Sequence, residues 1–206
     1  MTESPPAEAS VIDSTPTEPF RCFGTGQPDY ERYHDEEWGF PVRDDRALYE
    51  RISLEAFQSG LSWLTILRKR EGFRREFCDF DADKVAQFGD EDVARLMQDA
   101  TIVRNRAKIE ATLANARALV ALHEAGESLT DLFWSFAPDE PRHGADVLHD
   151  LPSVTPESKA LAKGLKKAGF RFVGPTTAYA AMQACGVVND HLLACPVRDQ
   201  VEQARR

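Results

Sequence analysis

The sequence predicts an all-α fold, a single compact helical domain. Three observations predict it. Apolar residues recur at helical spacing through most of the chain. No strand-like alternation of useful length appears. Glycine, proline and small polar residues punctuate the pattern at helix-length intervals. A chain of 206 residues, 42% apolar, is long enough to bury one sizeable core.

Residues 1–20 stand apart. They hold four of the twelve prolines and four acids, with no Lys or Arg. This composition predicts a disordered acidic tail ahead of one domain, 21–206. The spacing then predicts a helix over Arg46–Ser59, with Leu48 and Ile52 on one face and Gly60 as its stop. Ser62 caps the next helix, which runs to about Arg75. Asp83–Phe88 and Asp90–Gln98 read as short helices behind acidic caps. Asn105–Ala125 is the longest, striped by Ile109, Leu113, Ala116 and Val120 and ended by Gly126. Leu129–Phe136 is short and aromatic. Pro138–Pro156 reads as loop. Pro156–Ala168 and Pro175–Cys185 are helical, ended by Gly169 and Gly186. No internal repeat is present.

Composition also bounds the function. No apolar run approaches the roughly 20 residues of a spanning helix, so no membrane is expected. The N-terminus lacks a signal pattern, and the expected location is cytoplasmic. Four cysteines without framework spacing argue against a secreted disulfide scaffold; Cys78 and Cys185 read as inert buried thiols. The net charge is −9, or −5 for residues 21–206 (25 basic, 30 acidic). That total does not itself point to nucleic acid. Three basic clusters read as solvated helix faces or as phosphate contacts: Arg68-Lys69-Arg70 with Arg74-Arg75, Arg104-x-Arg106-x-Lys108, and Lys163 with Lys166-Lys167 and Arg171.

Four constellations could carry chemistry. Cys22 and His34 lie near the front of the folded part, and His191-x-x-x-Cys195 near its end. Two Cys and two His make a full tetrahedral Zn²⁺ set, although such residues are also often merely buried. The His191–Cys195 spacing places both on one face of a helical turn. Gly169-Phe-Arg-Phe-Val-Gly174-Pro-Thr-Thr opens a helix at Pro175. Its free N–H groups, Thr176, Thr177, Lys167 and Arg171 suit a DNA phosphate; an ordinary helix connection would look similar. Glu55 lies about 20° from Leu48 around its helix, where a core residue belongs. It is either a buried carboxylate in need of a partner or a residue at the stripe's edge. Leu61 occupies the turn that follows. Tyr30, Tyr33 and Trp38 crowd a segment without amphipathic order, either to sandwich a flat ligand or to form a local apolar cluster.

Together these stretches resemble the 3-methyladenine DNA glycosylase I family, within the helix–hairpin–helix glycosylases. The matching motifs are Tyr33-His34-Asp35-x-Glu37-Trp38-Gly39, Leu54-Glu55-x-x-x-x-Gly60-Leu61-Ser62-Trp63-x-Thr65-Ile66-Leu67, Phe133-Trp134-Ser135-Phe136, Gly169-Phe-Arg-Phe-Val-Gly174 and Ala184-Cys185-Gly186-x-Val188-Asn189-Asp190-His191. They cover about residues 21–196. The resemblance implies a helix–hairpin–helix glycosylase domain with a structural zinc joining its N- and C-terminal segments. It implies that the chain, read as a monomer, excises 3-methyladenine from double-stranded alkylated DNA.

Residue by residue, the resemblance puts the metal on Cys22, His34, His191 and Cys195. The recognition carboxylate on which catalysis depends falls on Glu55. The base-binding aromatics fall on Tyr33 and Trp63 with Trp38 nearby, the wedge on Leu61, and the phosphate hairpin on Gly174 to Thr177. The stretch between Cys22 and His34 is one residue shorter than the family's usual spacing, with Phe23 in place of the usual pair, so the pocket roof is expected to differ. Asp190 reads as an orienting group for His191 or a helix-end residue. Three other readings remain: a glycosylase for another lesion with Asp190 activating water, a non-catalytic damage sensor, and a zinc hydrolase. The closed ligand set disfavours the last.

Overall fold

The structure, a computed structural model, describes residues 20–140 and 144–206. The predicted tail lies outside the described residues except for Phe20. Among the described residues there are ten α-helices and no strand. They are α1 (Pro28–Glu36), α2 (Asp45–Gln58), α3 (Trp63–Glu76), α4 (Ala82–Val85), α5 (Asp90–Leu96), α6 (Arg106–Glu124), α7 (Leu129–Trp134), α8 (Pro156–Lys167), α9 (Pro175–Ala184) and α10 (Val197–Ala204).

The caps follow from side-chain chemistry. Asp44, Ser62, Asn105, Ser128 and Thr155 each accept a hydrogen bond from a first-turn N–H of α2, α3, α6, α7 and α8, satisfying donors that helix geometry leaves free. Helix α2 is the hub. It packs against α3, α6, α7 and α9. Every residue from Ile52 to Phe57 is buried except for no more than 6% of its surface. A helix enclosed on nearly all sides buries whatever its sequence holds there, and that includes Glu55.

Sequence periodicity missed two helices. α1 (PDYERYHDE) buries Tyr33 and His34 rather than an aliphatic stripe. α10 has eight residues and buries only Val197 and Val201. The predicted helical turn at His191–Cys195 is a correction: this stretch is not helical, and a bond from the Cys195 N–H to the Leu192 carbonyl (2.9 Å) closes a turn instead.

Two glycines let the chain's ends meet. A Cβ on Gly186 (φ +73°) would lie 2.5 Å from the Gly39 carbonyl oxygen. A Cβ on Gly39 (φ +87°) would lie 3.1 Å from the His191 ring. Backbone can approach this closely only without a side chain. The Val42 N–H bonds the Cys185 carbonyl at 3.1 Å, fixing the same contact.

Candidate metal centre and aromatic cavity

Cys22, His34, His191 and Cys195 are all buried, and their four donor atoms lie within 4.8 Å of one another. Cys195 Sγ is 3.4 Å from His191 Nδ1 and 3.6 Å from His34 Nε2; Cys22 Sγ is 3.7 Å from His191 Nδ1. A tetrahedron with ordinary Zn–S and Zn–N lengths has S···N edges of about 3.6 Å. The cluster therefore has the size of a metal site. His34 Nδ1 lies 2.8 Å from Asp35 Oδ1, and His191 Nε2 lies 2.8 Å from the Trp38 carbonyl. These acceptors leave the other ring nitrogens to face the cluster. Burial pushes the Cys22 thiol up to about 12 and His191 down to about 4. An empty cluster thus favours neutral groups, and a divalent cation reverses the thiol's preference. Asp190 does not orient His191 as the sequence suggested: no hydrogen bond joins it to that ring.

Beside the cluster lies a cavity of about 330 Å³. Phe23, Tyr30, Tyr33, Trp38 and Trp63 form its aromatic wall, with Glu55, Gln58 and Gln183 as its polar lining. The cluster residues position that wall directly. Phe23 follows Cys22 and stacks on Tyr30 at 4.9 Å; Tyr33 precedes His34; the Trp38 ring lies 4.5 Å from the His191 ring. Tyr33 and Trp63 face each other with centroids 5.2 Å apart. Trp63 Nε1 is buried without a partner among the described residues, a donor free for a ligand. The rings form a cluster beside the Cys and His residues and also line the cavity. Ala180 of α9 also lines it, as do Leu148, Leu151, Pro152 and Ser153, from the stretch whose composition reads as loop. A larger depression of about 570 Å³, lined by Glu110, Arg117 and Gly169, has neither an aromatic cluster nor a buried carboxyl group.

Glu55 is 6% exposed, and no described residue donates a hydrogen bond to its carboxyl group. Burial pushes that group up to about 8, against the pull of Arg51. Sequence reasoning missed Arg51. It sits one turn before Glu55 on α2 with its guanidinium 5.5 Å over the Tyr33 ring. It donates to Glu37 Oε2 at 2.5 Å, while its Nη1 is buried and unpartnered. Arg70 also binds Glu37, at 2.6 and 2.9 Å. Burial alone would raise Glu37, but Arg70 and Arg51 hold it down at about 2. A fixed anion thus anchors the cation behind the cavity.

Leu61 is 40% exposed, in the turn after α2. Gln58 Nε2 donates to its carbonyl at 2.9 Å. Lys108 Nζ donates to the carbonyls of Phe57 (2.9 Å) and Ser59 (2.6 Å), which helix α2 leaves unpaired. Lys108 is therefore buried rather than part of a solvated basic face, a correction to its expected place in the second cluster. Its Nζ also lies 5.8 Å over the Phe172 ring, which puts the Leu61 turn and the α8–α9 turn side by side. Asn115 grips the latter, bonding the Arg171 N–H at 2.6 Å and its carbonyl at 3.2 Å. Lys167, Arg171 and Thr176 are exposed, and Gly174 and Thr177 are partly so. Gly174 precedes α9 with extended backbone, φ −77°. The left-handed residues of the turn are Gly169 and Phe172 (φ +58°). Phe172 is 41% exposed; its only sequence signal was an apolar residue between Arg171 and Val173.

A family model described as methyladenine glycosylase matches residues 23–199. DNA-3-methyladenine glycosylase 1 of Escherichia coli (strain K12) is 50% identical over 177 residues, covering 85% of this chain and 95% of that protein. A crystal structure of 3-methyladenine DNA glycosylase I superposes with a TM-score of 0.83 at 49% identity, covering 86% of this chain and 98% of that one. A variant 3-methyladenine DNA glycosylase I in complex with 3-methyladenine superposes with a TM-score of 0.81 at 37% identity, covering 86% and 96%. The chain belongs to the methyladenine glycosylase family and, with it, to the hydrolases of N-glycosyl bonds.

Proposed function

We propose that the chain excises 3-methyladenine from alkylated double-stranded DNA by extruding the damaged nucleotide into the cavity beside the metal cluster. The observation that carries this reading is Glu55: a buried carboxyl group lining an aromatic cavity and lacking a hydrogen-bond donor among the described residues. Such a group is costly unless a ligand satisfies it.

The ligand's charge decides the selection. Methylation at N3 leaves the nucleotide's ring cationic, whereas normal adenine is neutral. With Glu55 near 8 in the free enzyme, the empty cavity holds a neutral carboxyl group at neutral pH. A cationic ring favours the carboxylate and releases the proton. A neutral ring gives no such compensation. Tyr33 and Trp63 stack on the ring, and Trp38 closes the wall, adding the cation–π preference for a positive ring.

The chemical step then asks little of the protein. The C1′–N9 bond breaks, its electron pair goes to N9, and the ring becomes neutral. The positive charge passes to the sugar; water adds at C1′ and loses a proton. The cationic leaving group makes a strong general acid unnecessary. Glu55 therefore acts as the residue that touches the base and discriminates it. Leu61 fills the space the nucleotide leaves, and the backbone N–H groups of Gly174, Thr176 and Thr177, with Lys167 and Arg171, hold phosphate. Nucleotide extrusion costs a few kcal/mol, less for a damaged base.

Cys22, His34, His191 and Cys195 fit Zn²⁺ in donor type and spacing. Four protein ligands leave no open position, so bound zinc would supply a cross-link rather than a Lewis acid. The test of this function is release of free base from methylated duplex DNA, resolved by chromatography. Free 3-methyladenine is the expected product; its absence from the supernatant of folded protein would overturn the reading.

A further inference from the structure

Asp190 is buried, 4% exposed, and does not line the cavity. Its Oδ2 accepts hydrogen bonds from the Tyr179 hydroxyl and from Gln183 Nε2, the latter at 2.9 Å. Tyr179 and Gln183 lie four residues apart on α9, on one face. Gln183 does line the cavity. The three residues thus run from the core to the pocket wall.

Their chemistry fixes an orientation. Asp190 Oδ2 accepts from both donors, so the Gln183 amide nitrogen faces Asp190. The carbonyl oxygen Oε1 must then face the other way, and no described residue donates to it. A free glutamine could turn its amide over and offer either a donor or an acceptor. This one is held as an acceptor.

We propose that Gln183 is a specificity-determining residue whose Oε1 reads the exocyclic amine of the extruded base, with Asp190 as the positioning residue that forbids the amide flip. The proposal rests on the excision reading above and extends it to substrate choice. An adenine-type ring offers an N–H donor at its six position, which pairs with Oε1. A guanine-type ring offers a carbonyl oxygen there. Two acceptors would face each other, and a group left unpaired in a buried site is strongly rejected. The pocket therefore favours 3-methyladenine over 3-methylguanine.

The test uses the full chain and duplex DNA carrying both lesions, with initial rates of release measured for each. Wild type is expected to favour 3-methyladenine. Gln183→Met, near in size, is expected to lower the ratio of 3-methyladenine to 3-methylguanine release about tenfold or more, chiefly by slowing the former. Asp190→Asn allows the Gln183 amide to turn and is expected to raise 3-methylguanine release relative to 3-methyladenine. A merely structural role would slow both lesions equally. A folded Gln183→Met variant with the wild-type ratio overturns the proposal. If that variant fails to fold, Asp190→Asn decides alone: an unchanged ratio overturns it. Wild type releasing neither base would overturn the excision reading itself, a result distinct from an unchanged ratio among active variants.

Discussion

Glu55 titrates near 8 in the folded chain against an ordinary value of 4.5. Between those values the fold holds a proton that the unfolded chain has lost. The group's contribution to stability is therefore intact below the ordinary value and is lost as pH rises toward 8. Glu55→Gln removes this dependence. We expect the variant to gain stability over wild type as pH rises from about 5 to about 9, by on the order of 4 kcal/mol at the upper end, measured by denaturant titration. Equal pH slopes would mean the carboxyl group is solvated. Arg51 opposes the shift, so Arg51→Met is expected to push Glu55 further up and thin out the carboxylate at neutral pH. The acid limb of the base-release profile should then move to higher pH. A profile that stays in place would remove Arg51 from the account. At this scale the sequence was informative where periodicity could be used: the spacing from Leu48 made burial one of two readings for Glu55, and the structure buries it. Arg51, Gln183 and Lys108 gave no comparable signal, because their roles depend on Glu37, Asp190 and the Phe57 and Ser59 carbonyls, which only tertiary structure supplies.

The elements that would meet DNA are two turns, one after α2 and one between α8 and α9, joined through Lys108 and Asn115. A Cβ on Gly174 would touch nothing within 4 Å, and its φ of −77° suits any residue. Gly174→Leu should therefore fold normally. Its side chain would stand between the α9 N-terminus and a phosphate, so we expect affinity for duplex DNA to fall about tenfold or more while affinity for free 3-methyladenine stays unchanged. Unchanged DNA affinity would remove the phosphate role from this turn. Helices with an aliphatic stripe and a cap, such as α2, α3, α6 and α8, were legible from sequence. α1 was not, because Tyr33 and His34 are buried in a cavity wall and a Cys/His cluster rather than in an apolar stripe. The roof from Leu148 to Ser153 carried no pattern at all, since a loop that closes a cavity obeys no period.

Across the whole molecule, the Cys22, His34, His191 and Cys195 cluster brings the beginning of the domain to its end and sets Phe23, Tyr33 and Trp38 in the cavity wall. We expect one equivalent of zinc per chain. Cys195→Ala should destabilise the fold by on the order of 3–5 kcal/mol and weaken base binding with it. Metal analysis without zinc, or a variant that melts as wild type does, would contradict the cross-link. Remote pairing of Cys22 and His34 with His191 and Cys195 was visible in the sequence; the non-helical turn at His191–Cys195 was not, because a three-residue gap fits a helix equally well. The account's central claim is that a buried carboxylate in an aromatic cavity selects a cationic base. Its most direct measurement is single-turnover release of 3-methyladenine from duplex DNA by wild type and Glu55→Gln, which keeps the shape of the side chain and removes its charge. Loss of a charge-assisted contact worth roughly 1.5–3 kcal/mol should slow release by about one to two orders of magnitude, while release at the wild-type rate would contradict the claim.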